Sequence, residues 1–145
     1  MTELPPIDEL VPHARPMILV DRLLAWTPGR ATCEVVLGPD APFVQDGRVR
    51  ALVAIEYMAQ SVAAYAGMKE RQRGEKPSIG LLLGSRDLRL EVSHFTVGER
   101  LTVEVEHVFG DERLGSFRCR VLRGSEIVAE ASLNVYQAGE ELALP

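Results

Sequence analysis

Glu56 is the one carboxylate in the apolar stretch 51–68, where only Gln60 and Ser61 are otherwise plainly polar. A carboxylate in a buried helix loses hydration, which disfavours its charged form. It must therefore be hydrogen-bonded, neutralised or useful. Gln60 follows one turn later on the same helical face and can orient it. The functional reading of Glu56 is a general acid/base. The plain reading is a structural carboxylate bonded to a backbone amide or an arginine. His13, in Leu10-Val-Pro-His-Ala-Arg-Pro-Met17, carries two readings as well. It is either a catalytic or substrate-positioning imidazole, or a hydrogen-bonded residue that docks the N-terminal segment.

Other chemistry is sparse. His94 and His107 fall on or beside strands, and the three histidines have no metal-ligand spacing. There is no G-x-S-x-G elbow, phosphate loop or zinc motif. Cys33 and Cys119 sit where strand residues point inward, which reads as two buried, reduced thiols. Arg15, Arg22 and Arg86 read as surface or ion-pairing residues.

The 145 residues suit one domain, 1–145, with a core over about 7–136 and peripheral segments at 1–6 and 137–145. A hydrophobic fraction of 46% and a charged fraction of 26% fit a folded, water-exposed protein. A net charge of -5 argues against a nucleic-acid partner but leaves room for a small basic patch that docks an acidic carrier. The apolar stretch around Glu56 falls short of the ~20 residues a spanning helix needs. The N-terminus is acidic and Pro-broken, unlike a signal peptide. These features predict a cytoplasmic protein with no membrane partner.

The elements that position Glu56 follow from periodicity. Residues 5–12 read as a short turn of helix and residues 17–26 as a strand. Thr27-Pro28-Gly29-Arg30 suits a type II turn. Ala31, Cys33, Val35 and Leu37 alternate with Thr32 and Glu34, which predicts a half-buried strand with Glu34 facing solvent. The long helix follows, buried on nearly all sides, closed by Lys69, Arg71, Arg73 and Gly74. Residues 78–91 predict a strand with Gly80 and Gly84 as bulge or close-approach points. Two alternating strands follow, pairing Glu104 or Glu106 with Arg118 or Arg120. A last strand after Gly124-Ser125 keeps its apolar face inward only if a bulge or an odd-length loop intervenes. The sum is α+β: two strands, one helix, four strands, with a curved antiparallel sheet enclosing the helix.

Together these residues resemble the hot-dog fold 3-hydroxyacyl-acyl-carrier-protein dehydratases, the FabZ/FabA-like family. Leu10-Val-Pro-His-Ala-Arg-Pro-Met-Ile-Leu-Val-Asp-Arg22 is similar to its opening L-P-H-R-x-P-F-L-L-V-D-R. Pro42-Phe43-Val44-Gln45 resembles the P-F-F-x-G start of its active-site loop. Ile55-Glu56-Tyr57-Met58-Ala59-Gln60 resembles its I-E-A-L-A-Q helix motif, and Leu88 to Glu104 its segment K-A-R-F-K-R-P-V-x-P-G-D-x-L-x-x-E. Order and spacing hold from about Ile7 to Tyr136. One departure stands out. The family's loop carries a catalytic His in G-H-F-P-G, whereas here the stretch between Phe43 and Glu56 is shorter and contains no His. That departure, with Ile55 to Gly67 and Gly80-Leu-Leu-Leu-Gly-Ser-Arg86, is similar to the dehydratase-like branch of the aryl polyene pigment pathway.

The resemblance implies a dimer, homo- or heteromeric, whose sheets join and whose active sites lie between subunits. It implies a substrate thioester on acyl carrier protein or coenzyme A, with Glu56 as acid/base and Gln60 orienting it. Ala51 takes the place of the glycine whose N–H polarises the thioester carbonyl. Phe43 contributes to substrate binding. The missing imidazole comes from a second hot-dog subunit or from His13. A base removes the α-proton and an acid protonates the departing 3-hydroxyl; no cofactor is implied, because the thioester acidifies the α-carbon. Two other readings stand beside dehydration: a non-catalytic subunit that stabilises a partner, and a thioesterase.

Overall fold

The computed structural model of the chain describes residues 3–76, 80–111 and 113–137. A 3-10 turn, Ile7–Glu9, opens it, and two strands follow, β1 (Arg22–Thr27) and β2 (Arg30–Val36). The short strand β3 (Arg48–Arg50) runs through a 3-10 turn, Ala51–Val53, into α1 (Ala54–Gln72). Then come β4 (Gly80–Leu90), β5 (His94–Thr96), β6 (Arg100–Gly110), β7 (Leu114–Arg123) and β8 (Glu126–Gln137). Six strands form one antiparallel sheet in the order β1-β2-β6-β7-β8-β4, and β3 pairs with β5 in a separate ribbon. The expected strand start at Ser78 and the tail beyond Gln137 lie outside the described residues.

Alternation builds the sheet as expected. Ala31, Cys33 and Val35 are buried on β2, Leu101, Val103 and Val105 on β6, and Phe117, Cys119 and Val121 on β7. These faces close on Tyr57, Met58, Val62 and Tyr65 of α1. Full burial of one side chain such as Met58 contributes ~1.5–3 kcal/mol. On the outer face Glu104 lies opposite Arg120 and accepts its hydrogen bond at 2.6 Å. The ladder slips between Val121/Ala129 and Leu122/Ile127, so the extra residue Val128 forms the bulge that keeps β8 facing inward. Gly29, at φ 101, takes the left-handed position of the β1–β2 turn. Both thiols are buried and free, and burial pushes Cys33 up to about 11 and Cys119 up to about 12.

α1 ends as a Schellman cap. Gly74, at φ 74, lets the Glu75 N–H reach the Glu70 carbonyl at 2.8 Å. Gly67 lies inside the helix instead of breaking it. A Cβ there would overlap the Leu10 carbonyl, so the N-terminal segment crosses the helix at that point.

Three expectations about elements need correction. Residues 17–21 are not strand: β1 begins at Arg22. Their backbone groups are met by a side chain, as described below. Residues 48–50 and 94–96 form strands too short to show a period. Glu34 does not face solvent and is 7% exposed. Arg22 and Arg100 donate to its two carboxylate oxygens at 2.9 and 3.1 Å. Burial alone pushes that carboxyl up. The hydrogen bonds and charges of Arg22 and Arg100 outweigh it and hold the group below the usual carboxylate range.

Candidate active site

Gln60 organises the site. It is fully buried, and its carboxamide uses every hydrogen-bonding direction it needs. The Oε1 atom accepts from the Leu19 and Val20 N–H groups at 2.8 and 3.4 Å. The Nε2 atom donates to the Met17 carbonyl at 2.7 Å and to Glu56 Oε1 at 3.0 Å. One side chain thus replaces the missing strand ladder for residues 17–20 and fixes the Glu56 carboxylate. The i, i+4 spacing made the second contact legible in the sequence. Nothing in the spacing announced the first.

Glu56 itself is less buried than an apolar helix suggests: its side chain is 41% exposed. The rest of α1 explains this. Tyr57, Met58, Ser61 and Val62 turn toward the sheet and are buried, while Leu52, Glu56, Ala59 and Ala63 form a half-covered stripe. The sheet and the N-terminal segment of this chain cover the helix on its other sides and leave that stripe half-covered.

His13 is brought to the same place. Its Nε2 stands 4.0 Å from Glu56 Oε1, and its side chain is 32% exposed. Its buried Nδ1 has no hydrogen-bond partner among the described residues. Nearby groups are poor bases. Burial, and then the charge of Asp21, pushes the Tyr57 phenol up to about 12, so it stays protonated at neutral pH. Ser61 Oγ donates back to the Tyr57 carbonyl within the helix.

Ala51 does not present its N–H to the site. That N–H donates to the Ser93 carbonyl at 3.1 Å, because the residue leaving β3 pairs with the segment entering β5. Leu52 comes next. No intrahelical carbonyl can accept the N–H of so early a residue in a helix, and Leu52 is 58% exposed.

Phe43 lies on the loop before β3, at φ 70 and 57% exposed. It lines a half-open cavity of about 590 Å³ with Gln45, Arg48, Arg50, Val53 and His94. The loop is held by reciprocal bonds between Gln45 and Arg48 around Asp46-Gly47, both at positive φ, a type I′ arrangement. His94 Nδ1 is 2.8 Å from Ser93 Oγ. The cavity reaches Val53, the last residue of the 3-10 turn that leads into α1, three residues before Glu56. The sequence put Phe43 forward for substrate binding but did not single out Arg48, Arg50 or His94, which line the same cavity. Among the described residues, no group of His, Cys, Asp and Glu side chains is gathered to hold a metal ion, and no helix is long and apolar enough to cross a membrane.

A family model described as ApeP dehydratase, of the ApeP-like group, matches residues 5–144. The chain belongs to the ApeP-like dehydratase family. It is 30% identical over 131 residues to a 3-hydroxyacyl-[acyl-carrier-protein] dehydratase FabZ from Symbiobacterium thermophilum, covering 86% of this chain and 89% of that protein. Among solved structures it is similar to the dehydratase heterocomplex ApeI:P from Xenorhabdus doucetiae, at 31% identity and a TM-score of 0.91. That match covers 96% of this chain and 95% of the other. A hypothetical thioesterase with coenzyme A from Streptococcus pneumoniae TIGR4 matches at a TM-score of 0.63 but only 11% identity, over 81% and 88% of the two chains, and shares the fold alone. This member of the ApeP-like family is therefore a hot-dog protein, α+β, and a 3-hydroxyacyl-acyl-carrier-protein dehydratase-like enzyme.

Proposed function

We propose that Glu56 and His13 form the acid/base pair of a dehydratase site that a second hot-dog subunit completes. The observation that carries this is the 4.0 Å approach of His13 Nε2 to a carboxylate fixed by Gln60 on the open stripe of α1. The substrate is a 3-hydroxyacyl thioester on acyl carrier protein. The imidazole takes the α-proton while the carboxylic acid of Glu56 gives a proton to the departing 3-hydroxyl. The Cα–H and Cβ–O bonds break, the Cα=Cβ bond forms, and water leaves. Proton return from imidazolium to carboxylate resets the pair. The Leu52 N–H, in place of that of Ala51, is the backbone donor for the enolate-like oxygen. Phe43 supplies an apolar wall on the approach.

The partner subunit sits along β4. This strand is a sheet edge whose Leu81, Leu82 and Leu83 are 41%, 43% and 58% exposed. An unpaired apolar edge of this length calls for another strand. The related ApeI:P structure is a dehydratase heterocomplex, which supports a heterodimer here. We also read the chain as cytoplasmic, in keeping with its two free, buried thiols.

Dehydration of a 3-hydroxyacyl carrier thioester, followed by enoyl formation with and without the partner, tests the reading. His13→Asn is expected to lower kcat by about 10²-fold or more while the complex stays assembled. Unchanged turnover by His13→Asn assigns the imidazole to the partner. A second reading, a non-catalytic stabilising subunit, is favoured by the absence of His from the loop before α1. It requires that Glu56 and His13 variants leave turnover of the complex intact.

A further inference from the structure

Residues 12–17 form an arch that brings His13 to Glu56, and packing does little to hold its crown. Val11 and Ile18, on either side, are buried, whereas within the arch His13 is half-buried and the rest are exposed. The feet are fixed by the Leu10 carbonyl against Gly67 and by Gln60 on Met17, Leu19 and Val20. The ring does not fix itself. Its Nδ1 has no hydrogen-bond partner among the described residues. Its Nε2 is 4.0 Å from Glu56 Oε1, beyond the ~2.6–3.2 Å of a hydrogen bond. Bonds from Met17 and Arg15 do reach the crown. The Met17 N–H donates to the Ala14 carbonyl at 2.9 Å. Arg15 donates from Nε to Asp8 Oδ2 at 3.1 Å and from Nη2 to Asp8 Oδ1 at 2.9 Å, which closes the loop 8–15 around His13. Asp8 is a firm anchor for this fork. It sits in the turn Ile7–Glu9, whose Ile7 is buried and whose Glu9 pairs with Arg71 of α1 at 3.5 Å.

We infer that the Asp8–Arg15 pair is a clasp that sets the place of His13 against Glu56, so that Asp8 and Arg15 are positioning residues for the dehydration. The inference rests on the proposed Glu56–His13 pair. The two side chains are 51% and 60% exposed, and an ion pair so open to water adds little to stability. What a bidentate fork adds is direction, because two parallel bonds fix the guanidinium plane against the carboxylate. Direction is what this arch lacks. The imidazole has no bond of its own to hold it at the substrate, and a misplacement of ~1 Å can cost ~10²-fold in rate. With the fork broken, a single backbone turn is left to hold the crown. The Arg15 guanidinium is also committed to Asp8, so it is not a free cation offered to an acidic carrier.

The full chain with its partner subunit is assayed on a 3-hydroxyacyl carrier thioester. Arg15→Gln and Asp8→Asn are each expected to lower kcat about tenfold or more, with KM within about twofold and the melting temperature held. Both break the same pair, so the double variant should be no slower than either single one. Arg15→Lys keeps the charge but not the fork, and its kcat should fall between wild type and Arg15→Gln. In the His13→Asn background Arg15→Gln should cost nothing further. An equal further loss in that background, or full activity of the single variants, overturns the inference. So does a raised KM with kcat kept, which would make Arg15 a carrier contact instead. If His13→Asn itself leaves turnover intact, the acid/base reading has failed, and amide exchange of the same complex still decides the clasp. The Met17 N–H, held on the Ala14 carbonyl, must lose at least about tenfold in protection in Arg15→Gln while the α1 amides keep theirs. Equal protection of Met17 in the two proteins overturns it.

Discussion

Gln60 Nε2 donates to Glu56 Oε1 at 3.0 Å while the same carboxamide holds Met17, Leu19 and Val20. One buried side chain therefore couples the position of the N-terminal segment, and with it His13, to the orientation of the helix carboxylate. The coupling means that damage to the segment and damage to the site should travel together.

Gln60→Ala tests this. It leaves two backbone N–H groups and a carbonyl without their partner, and a buried polar group left unmet costs about 1–3 kcal/mol. Urea denaturation should show a loss of that size or more. Activity should fall further than the loss of folded protein explains, because Glu56 also loses its orienting bond.

Gly67 is another contact between helix and segment. In Gly67→Ala the new Cβ meets the Leu10 carbonyl, so the backbone of the segment must move. Overpacking of this kind costs about 1–3 kcal/mol, and a lower melting temperature should report it. Gly74→Ala, at positive φ with open space around it, should cost stability without disturbing His13.

Glu34 makes a pH prediction. Its folded-state carboxyl lies below the usual range because Arg22 and Arg100 outweigh the effect of burial. The unfolded state therefore binds its proton first as pH falls. Its contribution to stability is complete above the ordinary carboxylate value and is lost as pH drops through the lowered, folded value. Stability measured from pH 7 down to 3 should show this acid arm in wild type, and Glu34→Gln should flatten it.

Much of this fold was legible because a sheet writes itself with a period of two. Leu101, Val103 and Val105 followed from that pattern alone; the same pattern required a bulge or an odd-length loop near Gly124-Ser125, and the structure has the bulge, at Val128. Residues 17–21 misled because they are apolar like a strand, yet a distant carboxamide takes the place of a strand neighbour. β3 and β5 were invisible because three residues cannot show a period. Glu56 was singled out by its isolation in an apolar helix. Its exposure was not, since composition reports that a helix face is covered but not which chain covers it. Ala51 fitted the donor position by alignment, whereas its N–H is committed to Ser93 by the β3–β5 ribbon.

The most direct test of the account is the dehydration rate of Glu56→Gln in the assembled complex on a 3-hydroxyacyl carrier thioester. Glutamine keeps the shape and the contact with Gln60 but can neither give nor take the proton. The account predicts that kcat falls about 10²–10⁴-fold while assembly and melting temperature hold. Full turnover by Glu56→Gln would contradict it, and would leave this chain as a structural support for chemistry performed elsewhere.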